Sequence, residues 1–416
     1  MAYEDTAFRR QSDGNDDPVA YRTNGFGATD YRNRHRDADD ADDGSAEPLR
    51  RLPPPAADET GRDRVGIHLG WEIVLLLAVA AIGYLLYRLD PASLRRPALD
   101  TLLISGTAIG LLTLGAGLTL RAGVPNLALG PIAVAGALHY AENGDRGLLD
   151  AALPALGIAA AAGLVVAVLV IGLHVPGWAA TLGAGLGVIV YNQMRTTPVD
   201  VQGTYDPSDQ AFFMFGGFAL VAVVGAALGT VTPVRRWIGR MRPVGDPALR
   251  RGGAAALPVI GTLVVSSVFA VGAGILMAAQ SAGPIVPGTG LEWSGIAIGA
   301  AMLAGTSAFG RRGGIFGTLL VVAGLALFLD YQARRDFDIS MFAIAGALIG
   351  GGLVATRLVE TYGRPLPDGV PEEEWTGSGA SGNTNWQPDL PETWTPPAPA
   401  QNRSDRWDEG PWGASR

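Results

Sequence analysis

The sequence predicts an all-α polytopic membrane protein of about ten transmembrane helices, some short or broken, flanked by disordered cytoplasmic tails. Three observations carry this reading. Charged residues make up 17% of the 416 residues, against about a quarter in soluble domains. Mean hydropathy is +0.23 although both ends of the chain are strongly polar. The charge also falls in blocks: residues 1–64 hold 15 acids and 10 Arg, 364–416 hold 9 acids and 4 Arg, and 65–363 hold 15 acids and 17 Arg. The net charge of −8 therefore belongs to the tails.

The first tail, 1–64, is rich in Asp, Arg, Asn and Gly. Its run Asp37-Ala38-Asp39-Asp40-Ala41-Asp42-Asp43 has too little apolar area to offset the entropy of ordering it. No apolar h-region lies in the first thirty residues, so no signal peptide is read there. The domain 65–363 then carries ten apolar runs: Trp71 to Tyr87, 99–120, 124–141, 150–173, 177–193, 211–231, 254–280, 292–309, 313–330 and 338–357. A spanning helix needs about 20 such residues. The runs 124–141 and 177–193 are short and interrupted by Gly or Pro, the pattern of broken or re-entrant helices. Gly pairs at small-xxx-small spacing, Gly106/Gly110, Gly183/Gly187, Gly295/Gly299 and Gly346/Gly350, suit close helix packing. The second tail, 364–416, is rich in Pro, Gly and Ser and carries Trp375, Trp386, Trp394, Trp407 and Trp412. It reads as a low-complexity extension or as a set of docking motifs.

Composition also excludes classes of chemistry. Cys is absent and every basic residue is Arg. Disulfides, thiolate metal sites, a Lys-bearing P-loop and Schiff-base catalysis are excluded. No basic stripe with interleaved aromatics points to nucleic acid. The four His residues, 35, 68, 139 and 174, do not gather on one side in this topology, so neither a metal nor another cofactor is expected.

Orientation follows from Arg placement. The loop 232–253 holds Arg235, Arg236, Arg240, Arg242, Arg250 and Arg251 and is read as cytoplasmic. Ten spans then place both tails in the cytoplasm.

Three segments stand out for their order. They are Arg121-Ala-Gly-Val-Pro-Asn126-Leu-Ala-Leu-Gly130, Val175-Pro176-Gly-Trp178-Ala-Ala-Thr181-Leu182-Gly183, and Ala304-Gly305-Thr306-Ser307-Ala-Phe-Gly310-Arg-Arg-Gly313-Gly-Ile-Phe-Gly317-Thr318-Leu-Leu. On physics alone these are packing and capping devices. Gly breaks the helix, and Asn126 and Thr306-Ser307 stand where they cap free amides. In order and spacing the three together resemble the membrane permease family of bacterial ABC importers for sugars and branched-chain amino acids. Asn126 and Gly130 match its first motif, with Val124-Pro125 in place of one residue. Pro176, Trp178, Thr181, Leu182 and Gly183 match the second. Gly305, Thr306, Ser307, Gly310, Gly313, Gly317 and Thr318 match the third without a gap, with Ala304 and Arg311 replacing two glycines.

The resemblance implies a subunit that hydrolyses no ATP itself and moves a small polar solute by alternating access. Its implied partners are ABC ATPase subunits, an extracytoplasmic solute-binding protein, a second permease subunit (homo- or heterodimer) and membrane lipids. The loop expected to receive the ATPase, Arg235-Arg236-Trp237-Ile238-Gly-Arg240 through Asp246, is short and departs from the family's coupling pattern. The alternative is a permease-like scaffold whose tails hold partners. Polar residues in the apolar domain are the candidates for a solute pathway: Asn126, His139, Tyr191, Asn192 and Gln193, with Gln280. Most stand near span ends, which favours interfacial positions over a solute site.

Overall fold

In lipid every backbone amide needs an internal partner, and the apolar runs accordingly fold as helices. The structure, a computed structural model, describes residues 65–231, 256–307 and 314–363, all within one compact unit, 60–416. Among the described residues there are ten α-helices: α1 Val65–Leu89, α2 Ala98–Arg121, α3 Leu129–Asn143, α4 Leu148–Gly172, α5 Gly177–Gln193, α6 Ala211–Thr230, α7 Ala256–Ala279, α8 Leu291–Leu303, α9 Gly317–Arg334 and α10 Met341–Gly363. Each of the ten apolar runs holds one of them.

The expected count of spans is corrected. Among the described residues six helices are long and apolar enough to cross a membrane: α1, α2, α4, α6, α7 and α10. At 1.5 Å per residue, the 15, 17 and 13 residues of α3, α5 and α8 reach about 20–26 Å, short of a hydrocarbon core of about 30 Å. The short α3 and α5 were legible in the sequence, whereas α8 and α9 were not. The run 292–309 stops being helical at Leu303 because Gly305 turns left-handed, with φ 100°. Helix α9 starts only at Gly317, and its last turns carry Asp330 and Arg334.

Helices α2 and α7 form the centre, with 61% and 56% of their apolar windows buried, against 17% for α1 and 22% for α6. Around this pair α3 and α4 pack on α7, and α6, α8 and α9 pack on α2; α10 lies along α8 and α1 along α9. Of the four Gly pairs, two lie at helix contacts: Gly106 and Gly110 face Phe215 and Phe218 of α6, and Gly295 and Gly299 face α10. Gly183, Gly187, Gly346 and Gly350 have open space around them.

Side-chain ties define two faces of the bundle. On one, Trp71 near the start of α1 donates to Leu303 O at the end of α8 (2.9 Å), and Arg121 at the end of α2 lies against Gly229 at the end of α6. On the other, Arg195 beyond α5 pairs with Glu142 of α3. There too, Gln280 beyond α7 bonds Thr101 and Ser105 of α2, and Arg334 of α9 bonds Asp90 beyond α1. Successive helices alternate in direction along the axis between these faces, with α3 and α8 starting part-way between them. The start of α1 and the end of α10 therefore share the Trp71 face, as do the end of α6 and the start of α7; residues 232–255 lie outside the described residues.

Candidate functional site

Helix α2 stops because Gly123 adopts φ 74°, which lets the amides of Gly123 and Val124 return to Leu120 O and Thr119 O. Pro125 follows and has no amide to donate. The stretch 122–128 is therefore non-helical, yet Ala122, Val124, Asn126 and Ala128 are buried. Bare backbone at this depth is tolerated only when protein satisfies it.

Side chains from the surrounding helices do so. Thr119 of α2 accepts from Asn126 N (3.3 Å). Asn126 accepts from Ala128 N through its own side chain (3.0 Å) and donates Nδ2 to Ser266 Oγ of α7 (2.9 Å). Thr181 of α5 donates to Pro125 O (2.8 Å). Asn192 of α5 donates to Pro131 O (3.1 Å). Ser294 of α8 accepts from Gly130 N and donates to Leu127 O, both 2.8 Å.

The start of α8 meets the start of α3 here. Residues 281–290 leave the Arg195 face, where Ile285 bridges Val199, and reach Gly130 at Gly290. A Cβ on Gly130 would lie 1.8 Å from Gly290 O, and one on Gly290 (φ 71°) 2.5 Å from Gly130 O. The level is that of the middle of α7, because Asn126 bonds Ser266 and Gly136 packs on Val271. Two helix N-termini thus converge within the bundle, and each carries partial positive charge. Glu292, in the first turn of α8, complements that charge. Short helices whose ends meet at mid-depth are an arrangement transporters use to hold polar groups.

The structure gathers Asn126, Asn192, Thr181 and Gly130 at this junction. Asn126 is fully partnered there, whereas Asn192, fully buried, leaves its Oδ1 unpaired. His139 is half-buried further along α3, where its carbonyl accepts from Asn143 (2.9 Å). Tyr191 and Gln193 flank Asn192 but are exposed, and Tyr191 Oη accepts from Arg195 (3.1 Å). Pro176 is the N-cap of α5. Thr306 and Ser307 are buried past the left-handed Gly305, Gly317 opens α9 against Ala304 O, and Thr318 follows it, half-buried. Gly310 and Gly313 lie outside the described residues, as do Arg235, Arg236, Trp237, Ile238, Arg240 and Asp246. Sequence reasoning missed Thr119, Ser266 and Ser294, whose hydroxyls hold the junction.

At the Arg195 face, Arg195 grips Glu142 through two bonds of 2.5 and 2.7 Å. This hydrogen bond holds the Glu142 carboxyl below the usual carboxylate range and raises Arg195 in turn. A carboxyl lowered by folding contributes stability above its ordinary pKa, and that contribution is lost as pH falls through the lowered value. Amide exchange of residues 194–203, corrected for intrinsic rate, is expected to be slow at neutral pH and to rise as pH falls below the ordinary glutamate range. Glu142→Gln is expected to remove that dependence; a variant retaining the wild-type pH profile would refute the assignment.

No family model matches the sequence, no curated protein matches it, and no solved structure matches the fold. The fold defines the class: the chain is a polytopic all-α membrane protein with six candidate membrane-spanning helices among the described residues.

Proposed function

We propose that this chain is the membrane-spanning permease subunit of an ABC-type importer, moving a small polar solute of the sugar or amino-acid class by alternating access. The observation that carries the reading is the junction of α3, α5 and α8, short helices meeting around hydrogen-bonded non-helical backbone inside an apolar bundle. The ordered motifs at Asn126–Gly130, Pro176–Gly183 and Gly305–Thr318 support it from the sequence side. In this reading the Trp71 face is cytoplasmic, because α6 ends and α7 begins there and the sequence between them holds six Arg. The chain acts with ABC ATPase subunits on that face, an extracytoplasmic solute-binding protein on the other, and a second permease subunit.

Trp237 supplies the test. As an apolar anchor on the ATPase, its loss is expected to weaken retention about 30-fold, the equivalent of about 2 kcal/mol. Trp237→Ala should therefore reduce ATPase co-purification and ATP-dependent uptake in membrane vesicles while insertion and abundance stay at wild-type levels. Replacing the Arg cluster with Gln should instead disturb insertion. If the wild-type chain retains no ATPase, or if Trp237→Ala leaves a demonstrated association intact, the scaffold reading replaces this one.

A further inference from the structure

Helix α1 is the least buried of the six long helices, and it packs chiefly on α9. Its contact is a narrow stripe running through Glu72, Leu75, Val79, Gly83 and Leu86. One end of that stripe is polar. Trp71 Nε1 donates to Leu303 O, the last carbonyl of α8 (2.9 Å). The next residue, Glu72, accepts from Phe316 N, the residue that precedes α9 (2.7 Å). Glu72 is 7% exposed. Its carboxylate fills the space beside Gly314, where an added Cβ would lie 2.3 Å from Oε1. Leu75 continues the contact in an apolar cluster with Ala300, Ala304 and Val321.

The polarity of the two bonds matches the two helix ends they serve. A helix C-terminus leaves carbonyls without donors and carries partial negative charge, and here it receives an indole N–H. A helix N-terminus leaves amides without acceptors and carries partial positive charge, and here it receives a carboxylate. Two neighbouring side chains on a peripheral helix thus hold both ends of one interhelical connection, Leu303–Ser307 and Gly314–Phe316.

We propose that Trp71 and Glu72 are positioning residues through which α1 acts as a releasable strap on the α8–α9 connection. When the Trp71 end of α1 moves away, Leu303 O and Phe316 N lose their side-chain partners together. Because α1 contributes little to the central α2–α7 packing, this release leaves the rest of the bundle assembled. Helix α1 begins nearly two turns before Trp71, so a partner that pulls on the start of α1 acts on the strap. The inference stands whether or not the chain moves a solute.

The absence of Cys makes the test direct. Thr306, 3% exposed on the connection, and Ser267, 2% exposed on α7, are each replaced by Cys in the full chain. Labelling by a membrane-permeant maleimide is followed in native membranes. Both sites are expected to be protected in the parent. Glu72→Ala and Trp71→Phe are each expected to speed labelling at Thr306→Cys by about tenfold, the effect of losing one strong hydrogen bond on a local opening equilibrium. Glu72→Gln, which keeps an acceptor, is expected to restore most of the protection, and Ser267→Cys should stay protected throughout. Protection of Thr306→Cys in both Glu72→Ala and Trp71→Phe would overturn the proposal. So would equal exposure of the two Cys sites, which reports a loosened bundle rather than a released connection. Labelling requires neither solute nor ATPase, so its failure is separate from any failure of the transport reading.

Discussion

Gly130→Ala is expected to prevent accumulation of folded protein in the membrane. The added Cβ would meet Gly290 O at 1.8 Å, Ser294 N at 2.7 Å and Gly290 C at 2.9 Å. All three are backbone atoms, so no change of rotamer relieves the clash. The ends of α3 and α8 must separate, which costs the bonds from Gly130 N to Ser294 and from Ser294 to Leu127 O. Overpacking costs about 1–3 kcal/mol and each lost bond about 1 kcal/mol. The total, about 3–5 kcal/mol, is a large part of the stability of an ordinary domain, about 5–15 kcal/mol. Gly183→Ala is the control, because nothing lies within 4 Å of its Cβ position. Thermal unfolding in detergent separates the two. Equal midpoints for both variants would show that α3 and α8 do not make this contact.

Asn126→Ala is expected to have the next largest effect, about 2–3 kcal/mol, from two lost bonds and an amide at Ala128 left without its acceptor. Asn192→Ala should cost less, because it loses one bond, to Pro131 O. Tyr191→Phe and Gln193→Ala should be close to neutral, since both residues are exposed. This order, read by denaturation without any solute, distinguishes a residue that holds backbone from one that holds cargo. An Asn126→Ala protein as stable as Gln193→Ala would move Asn126 back among the pathway candidates.

Hydropathy alone located all ten helices, because a run of apolar residues in lipid has few options besides a helix. It marked α3 and α5 as short but not α8 and α9. What ends α8 is the left-handed Gly305; the Thr306-Ser307 after it marked a capping segment, yet the run 292–309 continues apolar through it and reads as one span. The junction was half visible. An Asn in an apolar run attracts notice, and Asn126 and Asn192 both belong to the junction. Their hydroxyl partners did not stand out. Thr107 and Thr113 donate to the carbonyl one turn back in α2, Leu103 O and Ile109 O, as isolated helices allow. Thr119, in the same helix with the same spacing, also accepts from Asn126 N. The difference lies in what packs beside the last turn of α2, which is a property of the assembled bundle.

The two ends of the ten-helix domain share one face, and this fixes where the flanking segments can work. Val65, where the first helix begins, and Gly363, where the last one ends, are therefore attachment points on the same side of the bundle. A partner that binds at one of these points is brought near the other, so a weak second contact there is made at a high effective concentration.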